Sequence, residues 1–350
     1  MDVLRGLTVA LMIVVNSLGS ERTYSPLLHA AWNGFTLTDL VFPTFLFVVG
    51  NALSFTQGKY EQAGELAFFA KILKRTLILF AIGYLLYWFP FARPFDETRI
   101  WGVLQRIALC YFLASIVIHT LKIRGALVFG VAALTAHWVI LAGFGDFSMQ
   151  GNAGTRLDLW LLGPRHLYHG EGVPFDPEGL LGTLPATVNV IAGYAAGITL
   201  QRKGPGWETI ARMLLAGVTL VLLAVWWELL LPINKKLWTG SYVLLTAGVG
   251  LCILAWLVYL IDIAGRRKWT YFFEVFGRNA LFIYVLSEVL LVILMKIPAG
   301  DGSLLGAIYA RGFQSWAGDR NGSPLFATVF MLACWAVAWF LDRRRIYLKV

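Results

Sequence analysis

The chain has 350 residues, of which 58% are hydrophobic and only 14% charged, and its net charge is +9. Soluble domains carry about 25% charged residues, so this composition leaves too little polar side chain to cover a water-facing surface. A soluble globular fold is excluded, and the excess of cations has to be read against membrane topology before it is read as affinity for nucleic acid.

Apolar runs recur at the length, about 17–25 residues, that crosses about 30 Å of hydrocarbon as helix. Backbone groups in lipid must be satisfied within their own segment, and the period-2 alternation of a membrane barrel is absent, so the expected fold is all-α, a polytopic helix bundle. In chain order, the spans are expected near residues 4–19, 37–56, 71–90, 100–120, 125–145, 181–201, 209–231, 239–262, 271–297 and 325–341. The first follows Arg5 almost at once and reads as a span rather than a cleavable signal. An even count of about ten puts both termini on one side. Most of the 29 Lys and Arg residues, including Lys71, Lys74, Arg75, Arg202, Lys203, Arg266, Arg267, Lys268 and Arg343–Arg345, then fall on the same side as the N-terminus. Positive residues mark the cytoplasmic face, so both termini are expected in the cytoplasm. The two long outer segments, 146–180 and 298–324, are rich in Gly, Pro and polar residues but too small to be domains. The whole chain, 1–350, therefore reads as a single membrane domain.

Ionisable groups in hydrocarbon are costly and usually face a bundle interior. At 1.5 Å of rise per residue, Asp39 lies about 3 Å inside the outer end of its span, Arg106 about 9 Å, and Asn16 about 18 Å from the inner end of the first span. Glu228 and Glu288 fall in the outer thirds of theirs. Asp39 and Arg106 are at similar depth and are candidates for a structural ion pair. His29 sits in the outer loop before Asp39; an imidazole there can act as a base or an acyl-accepting nucleophile near neutrality. Asn16 can bond a neighbouring helix or donate to a developing oxyanion. Arg5, Arg75 and Arg278 stand near inner span ends, where a guanidinium can snorkel to headgroups or grip phosphate.

The outer segments add Trp32, Asn33, Asp176, Glu178, Lys236 and Trp238, the aromatic, carboxylate and amide groups that a sugar site needs. Interfacial Trp also serves as a membrane anchor. His119 and His137 lie in or at the ends of apolar helices and read as structural. His166 and His169 have i,i+3 spacing but no third ligand, and no metal is expected. Cys110, Cys252 and Cys334 lie in apolar runs and read as core residues.

Several stretches resemble one family. DVLRG at 2–6, Asn16 and LLHAAWNGFTLTDLVFPTFLFVVG at 27–50 are similar to the heparan-alpha-glucosaminide N-acetyltransferase family of transmembrane acyltransferases. So, in the same order, are GVLQRIALCYF at 102–112, LDLWLLGPRHLYH at 157–169, DPEGLLGT at 176–183, INKKLWTGSYV at 233–243, RNALFIYV at 278–285 and RRRIYLKV at 343–350. The resemblance implies transfer of acetyl from cytosolic acetyl-CoA to a glucosamine-type amine across the membrane. It places the catalytic histidine at His29 and a functional asparagine at Asn16. Asp39 is expected to orient His29 or pair with Arg106. Arg5, Arg75, Arg106, Arg278 and Asn279 are expected along the acetyl-CoA path.

The sequence begins at the first helix, without the lumenal extension of lysosomal members, and its one glycosylation-type sequon at Asn321 is followed by Pro324. A bacterial inner-membrane member acting on a free or cell-wall amino sugar is therefore expected, with membrane lipid around it and no nucleic-acid partner. A homodimer is expected from the resemblance alone. The competing class is an amino-sugar transporter without acyl-transfer chemistry, which midplane polar groups and outer aromatics would also suit.

Overall fold

The computed structural model describes residues 1–62, 64–92, 94–300 and 302–348. Helices dominate: α1 (Asp2–Asn16), α2 (Leu37–Gln62), α3 (Glu65–Trp88), α4 (Val103–Gly143), α5 (Ala153–Leu162), α6 (Leu180–Lys203), α7 (Trp207–Glu228), α8 (Gly240–Val258), α9 (Thr270–Arg278), α10 (Ala280–Lys296), α11 (Leu304–Tyr309) and α12 (Ser315–Arg343). The described strands are β1 (Pro298–Ala299) and β2 (Gly302–Ser303), paired antiparallel with Pro298 opposite Ser303.

Six helices are long and apolar enough to cross a membrane, or seven when the bent pair α9–α10 is taken as one span. This is fewer than the sequence-based count, for identifiable reasons. α1 stops at Asn16 and reaches only about 22 Å. α3 starts earlier than expected and carries Glu65, Lys71, Lys74 and Arg75. The spans expected at 100–120 and 125–145 form one element, α4, broken at Lys122, whose φ of 54° lies in the left-handed region. The span expected at 271–297 bends by 82° between α9 and α10, where Asn279 leaves helical geometry. The outer segments are also less irregular than their composition suggests: α5 lies in the first, and α11 and the start of α12 in the second.

The chain clusters into two compact units. The first comprises Met1–Ala30, Thr36–Phe45 and the chain from Arg267. Its core joins Val9, Ala10 and Ile13 of α1, Val275 and Phe276 of α9, Ile283 and Leu291 of α10, and Phe330, Cys334 and Ala338 of α12. The second comprises Ala31–Phe35 and Leu46–Arg266. There α7 and α8 form a tight hairpin, and α4 packs on α3 and α6.

Lipid tails are as apolar as leucine, so helices in a membrane associate by close packing rather than by escape from water. Reciprocal glycines do this here. In the first unit a Cβ on Gly6 would strike the Phe273 carbonyl, and one on Gly277 the Asp2 carbonyl. In the second, Gly50 of α2 and Gly193 of α6 stand in the same relation to the carbonyls of Val190 and Phe47. Gly50→Ala should therefore lower the melting temperature of the detergent-solubilised protein, since overpacking costs about 1–3 kcal/mol. Gly58→Ala on the same helix meets nothing within 4 Å and should hold or raise stability, by up to about 1 kcal/mol of helix propensity. A thermal-shift series that ranked the two alike would refute the close-approach account.

Candidate active site

In the first unit, the local sequence Thr36-Leu37-Thr38-Asp39 opens α2 as a capping box, in which the third helical residue reaches back to the cap. Asp39 Oδ2 accepts from the Thr36 amide at 3.1 Å and from the Ala30 amide at 3.1 Å. Thr36 Oγ1 lies 3.0 Å from the same oxygen and 2.7 Å from the Leu28 carbonyl, so its single proton serves one of the two. The other carboxylate oxygen, Oδ1, lies 2.7 Å from His29 Nδ1. Asp39 is 1% exposed, whereas the His29 side chain is 48% exposed. An ionised carboxylate can only accept, so Nδ1 carries the proton and Nε2 of the neutral ring carries the lone pair. The sequence thus places a buried carboxylate behind an exposed imidazole, with Thr36 and Ala30 fixing the carboxylate.

Asn16, the last residue of α1, donates from Nδ2 to Glu288 Oε1 of α10 at 3.0 Å. The bond to a neighbouring helix expected for Asn16 is present, and its partner is a carboxylate. Residues expected near the inner ends of spans are held by bonds within the chain. Arg278 bonds Asp342 at 2.8 Å and Glu274 at 3.2 Å, and Tyr271 and Tyr347 also donate to Asp342. Asn279 donates to the Ile346 carbonyl and accepts from the Leu348 amide, clamping the chain end. Arg278 and Asn279, expected along the acetyl-CoA path, are thus bonded within the chain. Arg5 donates to the Gly277 carbonyl and faces Asp2 at 3.4 Å.

In the second unit, Arg99 is a hub that sequence reading missed. It makes two bonds to Asp176, at 2.8 and 2.6 Å, and a third to Glu178 at 2.6 Å, between the rings of Tyr87 and Tyr168. Burial opposes the Arg99 charge, but the Asp176 bonds and the charges of the Glu178 and Asp176 carboxylates raise its pKa. Burial pushes the Glu178 carboxyl up, and the Arg99 and Arg106 charges outweigh it and hold that carboxyl low. At Asp176 burial prevails over Arg99 and the pKa is raised.

Arg106 is buried, bonded to the Gly179 carbonyl at 2.8 Å and stacked 4.8 Å over Trp238. Trp238 is fully buried, has a φ of 55° and donates to Asn189. Arg106, Asp176 and Trp238 therefore lie in the interior of this unit, and Arg106 and Asp176 line a cavity there together with Asp158 and Lys236. Trp32 donates to the Phe147 carbonyl, Asn33 accepts from Asn234, and Lys236 reaches the Ala31 carbonyl and Glu171. Arg75 lies 4.7 Å over Tyr111. Among the described residues no group of three or more His, Cys, Asp or Glu is arranged to hold a metal ion.

Comparison with known proteins decides the family. The profile of the heparan-alpha-glucosaminide N-acetyltransferase catalytic region matches residues 1–205. The human heparan-alpha-glucosaminide N-acetyltransferase is 30% identical across 82% of this chain and 52% of its own length. The mouse protein of the same name is 29% identical across 83% of this chain and 53% of its own length. The chain belongs to the heparan-alpha-glucosaminide N-acetyltransferase family. It spans about half the length of the curated relatives it matches. The region matched by the family profile contains Asn16, His29 and Asp39 together with Arg75, Arg99 and Asp158.

Asp158 of α5 was also missed, inside a stretch quoted only for its resemblance. It is 2% exposed and accepts from Trp101 Nε1 at 3.0 Å and the Leu180 amide at 3.1 Å. Burial pushes its pKa from 3.8 up to about 6, against those two donors. Between these values the folded state holds a proton that the unfolded state has released, so the contribution of Asp158 to stability falls as pH rises through that window. Asp158→Asn keeps an acceptor for both donors. Melting temperatures of wild type minus variant should therefore decline from about pH 4 to about pH 6; a difference independent of pH would show that Asp158 does not titrate there.

Proposed function

We propose that this chain is an acetyl-CoA-dependent N-acetyltransferase of a bacterial inner membrane. It moves acetyl from cytosolic acetyl-CoA to the amine of a glucosamine-type sugar on the outer side. In this reading the bundle crosses about ten times with both termini cytoplasmic: α1 and α3 cross as well, α4 crosses twice about Lys122, and α9–α10 count as one span. The cation excess on the inner segments supports that orientation.

The observation that carries the reading is the 2.7 Å bond between His29 Nδ1 and the buried carboxylate of Asp39. An imidazole so held presents the Nε2 lone pair in a fixed tautomer and gains a neighbouring negative charge for the imidazolium that forms during reaction. Acyl transfer to an amine needs such a lone pair, and passive passage of a sugar does not. Nε2 serves one of two roles. It takes the acetyl from the thioester and yields it to the amine, or it takes a proton from the amine as the amine attacks directly. Quenching the enzyme after exposure to labelled acetyl-CoA alone distinguishes them, since only the first leaves label on His29. Asn16 has a second Nδ2–H beyond the one bonded to Glu288, which suits it to support the tetrahedral oxyanion.

On the inner side, Arg75 is the cation best suited to the phosphates of acetyl-CoA. It stacks on Tyr111 and is paired with no carboxylate among the described residues, whereas Arg278 is held by Asp342 and Glu274. Arg5 is the second candidate. Trp32, Asn33 and Lys236 remain the groups proposed to contact the sugar.

Purified protein given labelled acetyl-CoA and glucosamine should form labelled N-acetylglucosamine, and His29→Ala should abolish it. Asp39→Asn should lower kcat on the order of 10²-fold, the scale of positioned general-base catalysis, with little change in KM for acetyl-CoA. Undiminished turnover by His29→Ala would remove the assignment.

A further inference from the structure

Glu288 is an acidic residue in a helix whose neighbours are hydrocarbon. Ile283 and Leu291 of α10 are in the buried core of the first unit, and Leu286 and Leu290 pack against it. Five other acids of this unit have a cationic or histidine partner or more than one side-chain donor. Asp342 and Glu274 face Arg278, Asp2 faces Arg5, Asp39 faces His29, and Asp319 takes donors from Tyr309 and Gln314. Glu288 has one neutral amide, that of Asn16, and no cationic side chain is paired with it among the described residues. A carboxylate in hydrocarbon costs several kcal/mol unless a countercharge or several donors meet it. Among the described residues the chain supplies neither. The Asn16 end of the pair is solvent-exposed, so a small ligand has access to it.

We propose that Glu288 is the recognition site for the acceptor's ammonium group, and that the countercharge it lacks arrives with the substrate. The class of ligand is a primary amine in its protonated form, carried on a sugar; this rests on the acetyltransferase reading and deepens it. Asn16 holds one carboxylate oxygen through Nδ2, which fixes the plane of the carboxylate and leaves its other oxygen to accept from R–NH3⁺.

The pairing also disposes of the proton that stops an ammonium from attacking. Glu288 takes one proton and the amine becomes R–NH2. Its nitrogen lone pair forms the N–C bond to the thioester carbonyl, and the C–S bond breaks toward sulfur. The second N–H proton passes through His29 to the departing thiolate, giving amide and free thiol, and Glu288 returns its proton to water. Glucosamine is thereby preferred to glucose at the step of binding as well as at the step of chemistry.

The test is isothermal titration of the full chain in detergent with glucosamine, glucose and acetyl-CoA, on wild type and Glu288→Gln. Gln keeps the shape and an acceptor for Asn16. Wild type should bind glucosamine and prefer it to glucose. Glu288→Gln should bind glucosamine roughly 10–100-fold more weakly, the factor expected for losing a charged hydrogen-bond partner, while its acetyl-CoA affinity stays within about twofold. In wild type, methylammonium should compete with glucosamine, a result that does not depend on any variant folding. Equal glucosamine affinity in Glu288→Gln, absence of a preference over glucose, or failure of methylammonium to compete would each overturn the proposal. Turnover is read separately: wild type that binds glucosamine through Glu288 yet transfers no acetyl sinks the transferase reading and leaves this one standing. Wild type that transfers acetyl, beside a variant of unchanged glucosamine affinity, does the reverse.

Discussion

The site depends on one buried carboxylate. Asp39 is simultaneously the residue that starts α2 and the residue that holds His29, and the two tasks use different oxygens. Because Oδ2 is fixed by the amides of Thr36 and Ala30, the position of Oδ1 is inherited from the helix start rather than from a flexible side chain. A carboxylate at the beginning of a helix is favoured by the peptide dipoles as well. Thus the energetics that fold the outer end of α2 also orient the imidazole, and any change that loosens the helix start loosens His29 with it.

A second constraint is charge compensation in a low-dielectric interior. Burying an isolated ion is far more costly than burying a bonded pair, so the chain groups its charges. Arg99 with Asp176 and Glu178, and Arg278 with Glu274 and Asp342, are closed groups: each carboxylate meets a guanidinium, and aromatic rings or hydroxyls complete the set. His29–Asp39 and Asn16–Glu288 are different. Each exposes a polar end to solvent, with the carboxylate set behind His29 in one and beside Asn16 in the other. Closed groups hold the helices together; open ones leave polar atoms available to substrate.

This distinction is also what separated legible from illegible residues in the sequence. Helical class and the approximate location of the spans followed from apolar run length, because the physics of burial in lipid is one-dimensional along the chain. His29 and Asp39 could be paired on paper because they lie ten residues apart on either side of a turn. Asn16 and Glu288, or Arg99 and Asp176, are separated by 272 and 77 residues, and nothing local specifies such partners. The stacking of Arg106 on Trp238, 132 positions apart, was hidden for the same reason. An arginine in a span and a tryptophan in a loop look like ligand contacts until their mutual stacking, and the Gly179 carbonyl, are seen to occupy them. The kink at Lys122 and the bend at Asn279 lack the prolines or glycines that mark most breaks, so two boundaries were drawn as a loop and a straight helix.

The bend at Asn279 has a further consequence for where a nucleotide can bind. Its side chain is spent on the backbone of residues 346 and 348, and the adjacent Arg278 is spent on Asp342, which also receives Tyr271 and Tyr347. The chain end is thereby drawn over the α9–α10 junction by side chains that would otherwise suit phosphate. A phosphate approaching Arg278 would meet two carboxylates already bonded to it. Arg75 has a ring beneath it and no carboxylate paired with it among the described residues. The cost of breaking ion pairs, more than the abundance of cations, therefore sets Arg75 apart from Arg278 as a candidate to hold a phosphate.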